Sequence, residues 1–264
     1  MIKIGIIGLG FVGTAVKASY ENNENVYLTL IDPQKGFNSP YENLIDHDAV
    51  FVCVPSPQGE DGSCDTSILE SVLDKLDKVG YNKVIVSKVT TPPDYYTNLH
   101  KKYENLVHAP EFLTAANATN DYINGEFLIL GGTYMYNHQA ERIIRIGQTK
   151  VKENNVRYCE IGEAALSKYI INCFLSTKVI FMNEMFQITK KFGYDYDAII
   201  ENIIMDKRIG TSHVSVPGPD GYFGFGGYCF PKDTSALLSF ANDYGVDLSV
   251  LQAVVDKNKL IRNE

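Results

Sequence analysis

The sequence lacks the cysteine and histidine spacings that bind metals or form disulfide frameworks. Its five cysteines are an odd number without a CxxC pair, which indicates neither a disulfide framework nor a zinc ribbon. They stand at Cys53, Cys64, Cys159, Cys173 and Cys229. The five histidines show no ligand spacing either, so we predict no metal site. Free cysteines are typical of a reducing compartment, and we expect the cytoplasm.

Positive charge and long apolar runs are also scarce. The net charge is -8 and the pI is near 5.2, so a nucleic acid or an anionic membrane would be repelled at long range. The most apolar later segment, 169–177, meets Lys178 well short of the roughly 18 apolar residues of a membrane span. The N-terminus lacks the basic region and cleavage site of a signal peptide. We therefore expect neither nucleic acid nor a membrane as partner.

The 264 residues, 45% of them hydrophobic, suffice for one large or two modest globular domains. In the first half, short apolar runs alternate with segments of helical period, which predicts βαβ units and a parallel sheet buried on both faces. Six strands are predicted, over 2–7, 26–31, 49–54, 84–87, 106–109 and 127–130. The fold class is α/β, with a Rossmann-type domain over 1–161.

The second half has helical patterns alone. A long helix over 163–192 is apolar nearly all round and is expected to be central and well covered. Further helices are predicted near 196–205, 232–244 and 249–262, and the Gly-rich, Pro-rich and aromatic segment 208–229 is predicted to be a functional loop. These elements define a small all-helical domain over 162–264.

Glycines at Gly8, Gly10 and Gly13 form GxGxxG between the first predicted strand and a helix. Such glycines permit the tight turn, the approach of a pyrophosphate and close packing of helix on strand. Asp32 follows Gly10 by 22 residues, where a carboxylate can hold ribose hydroxyls and would repel a 2′-phosphate. The pattern therefore predicts NAD, the alternative being a tight turn without ligand. Lys35 is either an adenosine-side contact or a solvated surface lysine.

A thiol lies in the glycine-rich sequence GFGGYCFPKD, just ahead of a predicted helix that Pro231 would open. The dipole of that helix would favour the thiolate of Cys229, while Asp233 would oppose it unless a cation balances the charge. Lys168 is the candidate cation and shares a helix face with Asn172. A buried structural cysteine and a boundary lysine that reaches solvent remain the alternatives.

Together these segments resemble the UDP-glucose and GDP-mannose dehydrogenases. The matching elements follow the family's order: GLGFVG at 8–13, CVPSP at 53–57, PEFL at 110–113, the pattern from Lys168 to Asn172 and on to 183–184, RIG at 208–210, and the cysteine loop. The resemblance implies oxidation of a sugar's primary alcohol to the acid with two NAD, through a thiohemiacetal and a thioester on the cysteine. The long helix suits a homodimer interface, though an apolar surface inside the monomer explains it equally well.

The resemblance also implies the roles of individual residues. Lys168 and Asn172 would stabilise the oxyanion or hold the attacking water, and Asp233 and Glu111 would assist proton transfer. NAD would be bound by Gly8, Gly10, Phe11, Val12, Gly13, Asp32, Lys35, Val54, Pro55, Ser56 and Lys88. The nucleotide-sugar would be bound by Glu111, Phe112, Leu113, Lys168, Asn172, Arg208, Phe223 and Gly226, with Arg208 meeting phosphate or sugar.

Three departures from the family pattern leave alternatives open. Lys88 replaces a threonine, and Ala115 stands where the family tends to have an acid. Family members also continue into a third, Rossmann-like domain beyond the last helix of this sequence. The alternatives are a two-electron dehydrogenase of the 3-hydroxyacid or 6-phosphogluconate type, which uses a helix lysine without a cysteine, and an NAD-binding scaffold without turnover.

Overall fold

The computed structural model describes residues 1–59 and 61–263. The chain divides into two compact units, one of residues 1–57 with 64–168 and one of residues 58–63 with 169–264. The predicted domain boundary between residues 161 and 162 stays a prediction. Glu264, the last residue of the predicted helical domain, lies outside the described residues.

The first unit is built on a sheet that has eight strands in the described residues. Their order is β3-β2-β1-β4-β5-β6-β7-β8, and neighbours are parallel except in the pairs β2–β3 and β6–β7. The strands are β1 (Ile2–Ile7), β2 (Val26–Asp32), β3 (Phe37–Asn38), β4 (Ala49–Val52), β5 (Val84–Ser87), β6 (Leu106–His108), β7 (Leu128–Gly131) and β8 (Val156–Cys159). The α/β class and the Rossmann-type sheet are thereby confirmed.

Both faces of this sheet are buried, as the continuous apolar strands predict. Ile4, Ile6 and Phe51 point into one core, and Ile7, Val50 and Val52 point into the other. The covering helices are α1 (Phe11–Tyr20), α2 (Ser67–Lys78), α3 (Pro93–Lys102), α4 (Ala118–Ile123) and α5 (Tyr134–Gly147). Because β1, β4, β5 and β6 are parallel neighbours, their carboxyl ends lie at one edge of the sheet, where ligands of such sheets bind.

Two strands, β3 and β8, were not predicted from the sequence. The first has only two residues, both exposed, and the second has no fully buried position. Neither segment has the apolar run that marks a strand buried on both faces, so periodicity gave no signal for them.

The second unit is helical in its described residues. Helix α6 (Ile161–Phe192) starts in the first unit and continues through the second, which also holds α7 (Tyr196–Ile203), α8 (Cys229–Asp243) and α9 (Ser249–Arg262). Ile180, Phe225 and Val254 bring α6, the cysteine loop and α9 into one apolar cluster. A second cluster joins Met182 of α6 to Tyr196 of α7.

Helix α6 is less covered than its apolar sequence predicted. The exposed fraction is 55% for Ile170, 66% for Phe174 and 53% for Phe181, and Ile188 and Phe192 are exposed as well. These five side chains recur at intervals of four and seven residues, so they form a stripe along the helix. The expectation of a well-covered helix is therefore wrong for this face.

By length and composition alone, α6 could cross a membrane. The core helix of a soluble protein passes the same test, so this is weak evidence for a span. Buried positions make up 44% of the apolar window, and among them are the polar residues Lys168 and Asn172.

Candidate functional site

The glycine-rich turn joins β1 to α1 and is shaped by close backbone approaches. Gly8 has φ +86° and lies against the backbone of Cys53, while a Cβ at Gly13 would stand 1.9 Å from the carbonyl oxygen of Gly8. Gly10 has no neighbouring atom within 4 Å of the place where a Cβ would be. The backbone is therefore packed at two glycines and open at the middle one.

Space beside Gly10 can receive a dinucleotide. A cleft of about 600 Å³ is lined by Gly10, Phe11, Thr14, Lys35 and the segment 115–124 without Asp121 and Tyr122. Gly10 is the N-cap of α1 and gives no side-chain cap, so the first amides of the helix have no partner within it. Open amides at a helix N-terminus are a fitting cradle for the pyrophosphate of NAD.

Asp32 ends β2 beside this turn. Its Oδ2 atom accepts a hydrogen bond from the amide of Leu9 at 2.7 Å. The carbonyl oxygen of Leu9 accepts from the hydroxyl of Thr14 at 3.0 Å and from the ammonium of Lys35. Lys35 thus bonds the turn although the residue is exposed, and the other carboxylate oxygen of Asp32 can meet a ribose hydroxyl.

The segment after β4 braces the segment after β5. The hydroxyl of Ser56 donates to the carbonyl oxygen of Thr90 at 2.8 Å, and Ser56 is buried. Val54 packs against the core, whereas Pro55 is exposed. Of these three predicted cofactor contacts, Ser56 has its side chain committed to the protein.

Lys88 and Glu111 form a buried ion pair. They follow the adjacent parallel strands β5 and β6, and their side chains are 1% and 10% exposed. The ammonium of Lys88 also lies 5.4 Å from the centre of the Tyr122 ring. Burial raises the pKa of Glu111, and the positive charges of Lys88 and Lys168 oppose the rise.

Lys168 lies in the same part of the first unit. It donates a hydrogen bond to the backbone carbonyl of Glu111, and its ammonium lies 5.2 Å from the centre of the Phe112 ring. Leu113 is half-buried against the sheet core. The structure therefore brings Lys88, Glu111, Phe112 and Lys168 together.

A buried histidine stands beneath this cluster. His108 of β6 is fully buried, stacks on the Tyr96 ring at 4.2 Å and has its Nδ1 3.2 Å from the carbonyl oxygen of Ser87. Burial, together with the nearby charges of Lys88 and Lys168, lowers the pKa of His108 to about 3. The imidazole is neutral at physiological pH, and no role was predicted for this histidine.

In the second unit, Asp233 is the centre of a buried polar group. One carboxylate oxygen accepts from the side-chain amide of Asn172 at 2.6 Å, and the other pairs with the ammonium of Lys232 at 2.6 Å. All three residues are buried. Lys232 was missed as a site residue, although it stands in the quoted FPKD motif. The cation that pairs with Asp233 in the structure is therefore Lys232, whereas Lys168 had been predicted to balance this charge.

Cys229 is the first residue of α8, one helical turn before Asp233. The helix was expected to open at Pro231, but it starts two residues earlier. A proline is tolerated at its third position because amides of the first turn have no acceptor within the helix. Cys229 forms no disulfide and is partly exposed, whereas burial raises the pKa of Cys173 to about 12.

The remaining predicted substrate residues lie in the loop before α8. Phe223 is 45% exposed and its ring lies 5.5 Å from that of Phe186. Gly226 lies against the guanidinium of Arg262, which a Cβ would meet at 2.3 Å. Arg208 is 89% exposed and pairs with Asp206, so within this chain it is not gathered with the other site residues. Among residues 1–59 and 61–263, no group of three His, Cys, Asp or Glu side chains could hold a metal ion.

Comparison with protein families places this geometry in context. Residues 35–146 match the model described as the UDP-glucose/GDP-mannose dehydrogenase family, NAD binding domain. Residues 162–260 match the central domain of the same family.

Two relatives that are similar in sequence are named UDP-glucose 6-dehydrogenase. A UDP-glucose 6-dehydrogenase of Rickettsia bellii is 34% identical over 252 residues, which cover 91% of this chain and 56% of the relative. A UDP-glucose 6-dehydrogenase of Pseudomonas aeruginosa is 34% identical over 232 residues, covering 82% and 49%. The chain thus spans about half the length of the curated relatives it matches.

Solved structures share the fold. A UDP-glucose dehydrogenase from Pyrobaculum islandicum superposes with a TM-score of 0.81 at 24% identity, covering 98% of this chain and 68% of that one. The 3-hydroxyisobutyrate dehydrogenase of Mycobacterium tuberculosis gives 0.74 at 18% identity, covering 100% and 94%. At these identities the likeness concerns the fold alone.

Proposed function

Because the chain belongs to the UDP-glucose/GDP-mannose dehydrogenase family and contains its NAD-binding domain, we propose that it oxidises the primary alcohol of a UDP-glucose-like nucleotide-sugar to the uronic acid. The observation that carries the proposal is the partly exposed Cys229 at the start of α8, one turn before the buried group of Asn172, Lys232 and Asp233. NAD, when bound, accepts one hydride in each of two successive oxidations.

The residues of the chain then act around the sugar carbon. In the first oxidation the alcohol loses its hydroxyl proton and a hydride and becomes an aldehyde. The thiolate of Cys229 adds to the aldehyde carbon, and the resulting thiohemiacetal has a hydride that can be removed. Loss of that hydride and of the hydroxyl proton leaves a thioester. Water adds to the thioester, the carbon–sulfur bond breaks, and the acid and the thiol are released.

We assign proton transfer to Glu111 and Asp233. Burial raises the pKa of Glu111 toward the operating range, which suits a group that accepts and returns protons. Lys168 and Asn172 are donors and would stabilise the oxyanion of the thiohemiacetal or hold the attacking water. The assignments of Phe112, Leu113, Arg208, Phe223 and Gly226 to the substrate remain proposals of the same kind.

The turn from Gly8 to Gly13 would bind the pyrophosphate, and Asp32 would bind the adenosine ribose. The fit of this cradle rests on the open space at Gly10 and on the uncapped amides of α1. Lys35 would stay on the adenosine side of the cleft. Lys88 would hold Glu111 rather than contact the dinucleotide directly, because its ammonium is committed to the carboxylate.

We further propose that two copies of the chain associate through α6, as a cytoplasmic homodimer. The stripe of Ile170, Phe174, Phe181, Ile188 and Phe192 supports this proposal, since large exposed apolar surfaces mark interaction sites. The mass in solution tests it: the chain is 29.5 kDa, so light scattering should give about twice that value. A monomer at micromolar concentration, where stable dimers persist, would refute it.

The decisive assay counts NADH formed per UDP-glucose consumed in the presence of excess NAD. Two NADH per sugar are expected. The matched control is Cys229→Ser, which should abolish the second oxidation because a hydroxyl is a far weaker nucleophile than a thiolate. GDP-mannose and other nucleotide-sugars are run in parallel.

Two other outcomes would favour the alternatives. Full turnover of a small hydroxyacid by both the native protein and Cys229→Ser would indicate a two-electron dehydrogenase. The 3-hydroxyisobutyrate dehydrogenase of similar fold is covered to 94% of its length by this chain. Binding of NAD without its reduction in the presence of any nucleotide-sugar would indicate a scaffold.

A further inference from the structure

Two asparagines from two helices hold the backbone of the glycine-rich segment 222–228. Asn258 of α9 is 4% exposed, and both ends of its side-chain amide bind one residue of the loop. Its Oδ1 accepts from the amide of Phe225 at 2.7 Å, and its Nδ2 donates to the carbonyl of Phe225 at 3.0 Å. Asn183 of α6 accepts from the amide of Gly224 at 3.0 Å.

The glycines of the loop match these side chains. Gly224 has φ +72°, and a Cβ there would stand 2.5 Å from Oδ1 of Asn258. At Gly226 a Cβ would meet the guanidinium of Arg262, one turn further along α9. Arg262 itself donates to the carbonyl of Phe223 at 3.2 Å. The glycines thus allow α9 to approach the loop backbone directly.

The anchored residue is coupled to the cysteine by packing. Phe225 is 4% exposed and packs with Ile180 of α6 and Val254 of α9. Its ring meets that of Phe230 edge-on at 6.2 Å, and Phe230 directly follows Cys229. Both the backbone and the side chain of Phe225 therefore restrain the start of α8.

We propose that α9 acts on the chemistry through Asn258, which is a positioning residue for the thiol of Cys229, and that Asn183 supports it. Fixing the loop keeps Cys229 in the first turn of α8, where helix amides favour a thiolate. The relevance to turnover rests on the proposed function, but the positioning itself does not.

The test measures alkylation of each cysteine by iodoacetamide at neutral pH, with mass spectrometry of the peptides. In Asn258→Ala, Cys229 should react about tenfold more slowly, as expected when two neutral hydrogen bonds that fix a reactive geometry are lost. In Asn183→Ala one bond is lost, and a decrease of about threefold is expected. The control is Lys259→Ala, an exposed neighbour on α9, which should react like the native protein.

Cys159, which lies in the first unit and is partly exposed, reports on general loosening. A slower Cys229 beside an unchanged Cys159 supports the proposal. An unchanged or faster Cys229 in both variants overturns it, as does an equal change at both cysteines. If Asn258→Ala does not fold, Asn183→Ala decides by the same criteria. No substrate is needed, so absence of dehydrogenase activity would refute the proposed function without affecting this result.

Discussion

Replacing Lys88 by methionine should reveal how strongly the first unit depends on the buried pair with Glu111. The substitution keeps the length of the side chain but leaves a carboxylate that is 10% exposed without its ammonium partner. Removing one member of a buried pair costs about 3–5 kcal/mol. The carboxyl can escape only by protonation, which from an ordinary pKa of about 4.3 costs about 3.7 kcal/mol at pH 7. The two estimates agree.

The dependence of this loss on pH has a definite sign. In Lys88→Met the folded pKa of Glu111 lies above its unfolded value, because burial raises it and the larger of the two opposing charges, that of Lys88, is gone. The folded state then binds more protons than the unfolded state, so the variant gains stability as the pH falls. Between pH 7 and pH 5 the deficit should shrink by about 2.7 kcal/mol, at about 1.36 kcal/mol per pH unit.

Urea unfolding of the native and variant proteins at pH 7, 6 and 5 measures the deficit. Lys83→Met is the matched control, because Lys83 pairs with Asp48 at 3.6 Å on the surface, and its loss should cost no more than about 1 kcal/mol. Adding Glu111→Gln to Lys88→Met removes the unpaired charge and should restore much of the stability at pH 7. A deficit that does not change with pH, or a double variant no more stable than the single one, would refute the reasoning.

Three further predictions concern the first unit. Gly13→Ala should abolish NAD binding in a titration of intrinsic fluorescence, because its Cβ would meet the backbone oxygen of Gly8 at 1.9 Å and the turn must open; native affinity would contradict this. Asp32→Ala should weaken NAD by about tenfold or more, since the ribose contact and the bond to the Leu9 amide are both lost; NADP should be affected less, and equal losses for both dinucleotides would be the opposing result. His108 has a folded pKa of about 3 and an unfolded pKa near 6.5, so the unfolded state binds more protons between these two pH values and the free energy of unfolding falls as the pH drops through this window. His108→Asn should flatten this dependence of the free energy of unfolding on pH in urea titrations. An unchanged dependence on pH would contradict the prediction.

The sheet could be predicted from the sequence because most of its strands are buried on both faces. Ile4, Val50 and Ile85 are fully buried and belong to short apolar runs, whose length is typical of strands covered on both faces. The exposed stripe on α6 could not be predicted in the same way. An apolar residue such as Phe174 gives the same pattern whether it meets the core or remains uncovered, and only the packing of neighbouring elements decides between the two.

The sequence indicated on which elements the candidate site residues lie, but it did not indicate which of their side chains pair with each other. Lys88 and Glu111 each follow a strand, and the adjacency of β5 and β6 was the signal that could have joined them. Asn258 gave no signal, since an asparagine near the end of a helix is ordinary and its partners lie 33 residues away on a loop backbone. A contact of this kind depends on how the loop turns, which local sequence does not determine.

The ion pair of Lys232 with Asp233 changes which charges can affect the ionisation of the Cys229 thiol. An unpaired carboxylate one helical turn from Cys229, at about 6 Å, would disfavour its thiolate by about 3 kcal/mol at an effective dielectric constant of 20. Here one oxygen of Asp233 meets the ammonium of Lys232 and the other meets the amide of Asn172, so much of that repulsion is offset within the second unit. The amides of the first turn of α8 then add a favourable influence on the thiolate. Their effect falls off within that turn, so the reactivity of Cys229 depends on how firmly the loop before it is held.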